Sequence, residues 1–197
     1  MDEVKNILAL FDSAEKWNAF IELSKMREAM VDELKSRLSD ELQKIANKKL
    51  VDSGWELRSE YNGISIRPID NSLIGVKIGE WRWWNDSNAP WCRRGACIWL
   101  DANSVNSSKT FELIKLNKKR LPLQDYEENI QNHYWFPFVK QIPSRVFNVD
   151  DNITSVDECL YMAKDNAEQL ARNLWKEVFQ PFATKENADL MRSFVCQ

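Results

Sequence analysis

Five tryptophans fall between residues 81 and 99 (Trp81, Trp83, Trp84, Trp91 and Trp99), interleaved with Arg82, Arg93 and Arg94. On a strand, Trp81 and Trp83 share one face while Arg82 and Trp84 share the other. If one face is core, at least one large ring is offered outward. Tryptophan and arginine are the types that dominate binding energy at protein interfaces, and both also stack on unpaired bases. Filling the space between sheet and helices, at ~150–250 Å² per ring, accounts equally well for most of these residues. Trp83, Trp84 and the Arg93-Arg94 pair are the strongest binding candidates, and Arg82 and Trp91 complete the expected surface.

Other residue types offer less. Lys109, Lys115, Lys118, Lys119 and Arg120 are opposed only by Glu112, a run able to meet phosphates or an acidic protein. More commonly such a run is a solvated face with lysines favoured at a helix C-terminus. His133 is the sole histidine, and no nucleophile elbow accompanies it. Cys92 and Cys97 have no second pair or neighbouring histidines, a poor pattern for zinc. Phosphate-cradling glycine loops are absent from the sequence. The residues therefore favour a non-enzymatic protein with no catalytic residues, no cofactor and no metal.

At 197 residues the chain is long enough to bury a core without disulfides or metals, and 44% hydrophobic with 29% charged residues is a globular balance. A net charge of −3 argues against a dedicated nucleic-acid binder, although residues 51–120 carry a basic excess. The start of the chain has neither the basic nor the apolar part of a signal peptide, and no apolar run approaches the ~20 residues that span a bilayer. Together with four sparse cysteines, this leads us to expect a soluble cytoplasmic protein with reduced thiols and no membrane partner.

All five glycines lie between residues 54 and 95, which divides the chain into helix, sheet and mostly helix. Residues 1–50 read as helical, 51–145 as a Trp-rich sheet with one helix, and 154–197 as C-terminal helices, all in a single domain. Asp12 with Glu15 has capping-box spacing, and Trp17, Phe20, Leu23, Met26, Met30, Leu34, Leu38, Leu42 and Ile45 recur at helical steps. Residues 55–61 alternate with period two, and Asn62-Gly63 marks a hairpin turn. Further strands are expected from Leu73 to Trp84 and from Ala96 to Leu100. Ser107 or Ser108 is expected to cap a helix that Pro122 ends, and residues 134–142 to form an edge strand because Pro137 would break a central ladder. Ser155 with Glu158 opens a helix whose ridge is Cys159, Ala163, Ala167, Leu170, Leu174 and Val178. The expected fold is α+β: a mainly antiparallel sheet of about four to five strands packed against N- and C-terminal helices.

This order of helix, three or four strands, helix and strand resembles the αβββαβ core of the PD-(D/E)xK nuclease superfamily. The resemblance implies an Asp and a Glu-x-Lys on adjacent strands that hold a divalent metal. Arg67-Pro68-Ile69-Asp70 and Glu80-Trp81-Arg82 stand at the corresponding places. Here arginine replaces the adaptable lysine, and no second carboxylate forms the usual Pro-Asp pair. Separately, residues 11–20 (FDSAEKWNAF), followed by a charged helix and a sheet beginning near Gly54-Trp55, resemble uncharacterised bacterial and phage accessory regions found with PD-(D/E)xK nuclease proteins. That likeness implies a phage, prophage or defence-associated setting and brings no assigned active site.

The resulting expectation is a protein-binding adaptor, inhibitor or accessory protein. The alternatives are nucleic-acid binding through the basic central third, or a metal-dependent nuclease using Asp70, Glu80 and Arg82. The N-terminal stripe is too long for such a sheet to cover, so a second helix or a second copy must cover the rest. The small ridge of the C-terminal helix favours the former, hence a monomer over a homodimer.

Overall fold

The computed structural model describes residues 9–60, 63–71, 73–79, 95–130, 134–150 and 156–195. A 36-residue helix, α1 (Ala14–Lys49), leads into an antiparallel meander of β1 (Trp55–Glu60), β2 (Gly63–Pro68), β3 (Ile74–Ile78) and β4 (Gly95–Leu100). Then come α2 (Ser107–Leu116), a 3-10 turn (Lys118–Arg120), β5 (Glu127–Glu128), β6 (Phe138–Gln141) and α3 (Ser144–Phe147). Next, α4 (Val156–Leu174) runs into a π-helical turn (Trp175–Phe179), and α5 (Lys185–Ser193) follows. The sheet order is β1-β2-β3-β4-β6-β5, with every pairing antiparallel.

The α+β class is therefore as the residue pattern implies, with six strands among the described residues rather than four to five. The edge beside β6 is occupied by β5, two glutamates with no alternation to signal a strand. Pro137 precedes β6 instead of interrupting it, and its carbonyl accepts from Asn129 N at 3.0 Å. The first hairpin also differs in detail. Glu60 pairs with Gly63, so Gly63 already belongs to β2, while Asn62 lies outside the described residues. Glycine is needed there because a Cβ would lie 2.4 Å from the Ile78 carbonyl oxygen.

Two caps differ as well. Ser13, not Asp12, caps α1, accepting from Lys16 N at 3.2 Å, while Asp12 pairs with the Lys16 ammonium at 2.8 Å. Asn106 caps α2, accepting from Lys109 N at 3.1 Å. The C-terminal ridge is carried by two helical segments: Asn166 leaves helical geometry (φ −147°, ψ 58°), and its side chain accepts from Gln169 N at 3.1 Å. An asparagine favours this role, since its oxygen satisfies an amide that a fresh helix start leaves open.

Leu57, Ile66, Val76, Ile98 and Phe138 lie in one row across five strands. Their face carries the helices: α5 packs on β2 and β3, and the π turn packs on β3. From α1 the core takes Leu38, Leu42 and Ala46, and from its C-cap Leu50, all buried. The expected helical layer is present, with α4 lying along α1 in the same direction and the Arg37 guanidinium donating to the Lys164 carbonyl at 3.2 Å. Cys159, Ala163, Leu170 and Leu174 are buried. Small side chains at the first two positions let the helices approach closely. The layer covers only the C-terminal half of α1. Trp17, Phe20, Leu23, Met26 and Met30 remain between 41% and 61% exposed.

Candidate functional site

The sheet face away from the helices has a different chemistry. Arg58, Ser65, Lys77, Cys97 and Val139 form its central row, with Glu56 and Arg67 paired across β1 and β2 and Gly75 and Trp99 across β3 and β4. Arg67, buried, lays its guanidinium 4.3 Å from the centre of the Trp99 ring. The same group donates to Ser65 Oγ at 3.2 Å and pairs with the Glu60 carboxylate. The Lys77 ammonium is also buried, 3.8 Å from Glu60 and 5.9 Å from the Trp99 ring.

Gly75 makes this stacking possible. A Cβ at that position would come within 2.7 Å of the Ile66 carbonyl oxygen and 2.9 Å of Arg67 Cγ. The missing side chain opens the lane along which Arg67 crosses β3 to reach Trp99. Such a cluster can hold an anionic group, and its described members already form an ion-pair and cation–π network with one another.

A second feature is apolar. Phe11, Trp17 and Phe20 stack at the N-terminal end of α1, with ring centroids 4.8 to 5.9 Å apart. Beyond them, Phe20, Leu23, Met30, Val31 and Leu34 with Tyr161 of α4 line an open groove of about 450 Å³. The ordinary fate of a helical apolar stripe is burial. Half of this one faces solvent.

A third feature is a basic cleft of about 400 Å³ between the C-terminal end of α1 and α4. Lys44, Lys48, Lys49, Arg172 and Lys176 surround a floor that includes Ile45 and Trp175. Glu41 and Glu168 are paired with Lys44 and Arg172. Lys48, Lys49 and Lys176 have no ion-pair partner among the described residues. Glu41 beside Lys44 raises that ammonium above its ordinary range, by hydrogen bond and by charge.

Of the surface expected from the sequence, Arg82, Trp83, Trp84, Trp91, Arg93 and Arg94 all lie outside the described residues, as do Trp81, Glu80, His133, Cys92 and Cys196. Asp70 sits exposed in the turn after β2 at φ 65°, so of the nuclease-like trio only Asp70 is described. The basic run after the sheet is partly tied down. Lys115 pairs with Glu128 at 3.0 Å, and Lys118 donates to the Tyr126 carbonyl at 3.1 Å while lying 5.6 Å from the Phe138 ring. Cys97 and Cys159 are both buried. Among the described residues no group of three or more His, Cys, Asp and Glu side chains is placed to hold a metal, and no helix is long and apolar enough to cross a membrane.

Glu60, Arg67 and Lys77 were missed from sequence. Arg67 and Lys77 each stand as the one charged residue of their strand, which is a visible signal, whereas Glu60 is one of three charged residues on β1 and gives none. The basic cleft left no local signal, because its two halves lie more than a hundred residues apart. Comparison of the chain with protein-family models, with curated proteins and with solved structures gave no significant match.

Proposed function

We propose that this chain is a non-enzymatic protein-binding protein, acting as an adaptor, inhibitor or accessory factor, and that the N-terminal half of α1 is its contact surface. The observation that carries the reading is the exposure of Trp17, Phe20, Leu23, Met26 and Met30 on one helix. Apolar side chains scattered singly on a surface need no explanation, whereas a contiguous patch beside a groove is the form that helix-in-groove recognition takes. The Trp/Arg-rich residues 82–94 supply further hot-spot types by composition. A photo-crosslinking residue placed at Leu23 tests the reading in the cells that make the protein, with the exposed Asn47 as control. Protein adducts at position 23 and none at 47 are expected. A folded protein that forms no adduct at 23 overturns the assignment. Trp84→Ala and Arg93→Ala in the same experiment report whether residues 82–94 share in the contact.

The basic cleft favours a second reading, nucleic-acid binding, because three of its lysines meet no carboxylate among the described residues. Cations at the C-terminal end of α1 are already favoured by the backbone carbonyls there, which is why this reading comes second. It requires that labelled single-stranded or duplex DNA or RNA bind with steep salt dependence, through release of counterions. No change in anisotropy at low salt removes it.

A further inference from the structure

We propose that a second copy of this chain covers the bare half of α1, forming a two-fold homodimer; this rests on the reading of α1 as a protein-binding surface. Three observations select that occupant. The first is area. Leu10, Trp17, Phe20, Leu23, Met26, Met30 and Tyr161 are each between 41% and 68% exposed. At ~200 Å² for a fully exposed side chain of this size, each copy presents ~750 Å² of apolar surface. That exceeds the few hundred Å² monomers ordinarily tolerate, and two patches face to face give ~1,500 Å², the size of a specific interface.

The second is self-complementarity. Each chain offers a groove between α1 and Tyr161. Each also offers, on the same helix, exposed Trp17 and Met26 outside the groove lining. A contact in which α1 of each copy lies in the groove of the other needs both features on one surface, as a two-fold interface requires. The product is a four-helix layer of two α1 and two α4, a common way of burying helical stripes.

The third is charge. Residues 12–31 carry Asp12, Glu15, Glu22 and Glu28 against Lys16, Lys25 and Arg27, signs interspersed. Two copies do not repel, and no single-sign field calls for an acidic or basic partner.

Sedimentation equilibrium of the full chain from ~1 μM to ~1 mM reaches the weak end of affinities for interfaces of this size. The mass is expected to rise from 23.2 kDa to twice that value. Leu23→Glu with Met30→Glu is expected to weaken association at least ~100-fold, as loss of central interface residues does. The double variant should keep the wild-type circular dichroism and, at concentrations where the wild type is monomeric, its urea midpoint, since both side chains are exposed. Asn47→Glu, on the same helix beyond the patch, should dimerise as the wild type does. A wild-type mass fixed at 23.2 kDa overturns the homodimer, and so does a double variant that associates like the wild type. If the wild type stays monomeric, foreign adducts at position 23 preserve the protein-binding reading, and their absence removes that as well.

Discussion

Tyr126 stands edge-on to Phe182, ring centroids 6.0 Å apart, and its buried hydroxyl meets no hydrogen-bond partner among the described residues. Burial pushes its phenol well above the ordinary tyrosine range, and the nearby Cys97, Glu177 and Asp125 push the same way. Above pH ~10 the unfolded chain releases this proton and the folded chain does not, so stability falls with a slope of up to ~1.4 kcal/mol per pH unit; below that pH the effect is absent. Tyr126→Phe is expected to raise stability by about 1 kcal/mol at neutral pH, by removing a buried hydroxyl without a partner, and to lessen the alkaline loss. Urea unfolding at pH 7 and 10.5 checks both, and a destabilised variant would show that the hydroxyl is bonded. Gly75 gives a second residue-scale test. Gly75→Ala is expected to cost ~1–3 kcal/mol, because its Cβ meets a backbone carbonyl and the stem of Arg67. A change under ~0.5 kcal/mol would mean that Arg67 does not need that lane.

At the scale of elements, α1 is one helix with two environments. Leu42→Ala in its packed half is expected to cost ~2–5 kcal/mol, as for other buried leucines. Leu23→Ala, measured at low micromolar concentration, is expected to stay within ~0.5 kcal/mol of the wild type. Equal losses at the two positions would show that the N-terminal half is packed within the monomer. Sequence periodicity could not make this distinction: Leu23 and Leu42 belong to the same run of helical steps, and spacing does not say where the covering helix begins. The sheet was more legible. Clustered glycines and strict alternation from Trp55 placed it, and Leu57 does pair with Ile66. The meeting of Arg67, Lys77 and Trp99 was not legible, because it depends on the register of three strands and on the absence of a side chain at Gly75.

At the scale of the whole molecule, the helices and one sheet face make a single core, and the cation–indole cluster occupies the other face. The bare half of α1 is what this arrangement leaves without a partner. In the proposed homodimer this half, open in the lone chain, becomes covered on association. Hydrogen exchange resolved along α1 as a function of protein concentration tests it most directly. Amides of residues 38–46 are expected to stay protected throughout, while those of residues 17–30 exchange quickly in dilute solution and become protected as concentration rises. Protection of residues 17–30 equal to that of 38–46 at the lowest concentration, or fast exchange there at every concentration, would contradict it.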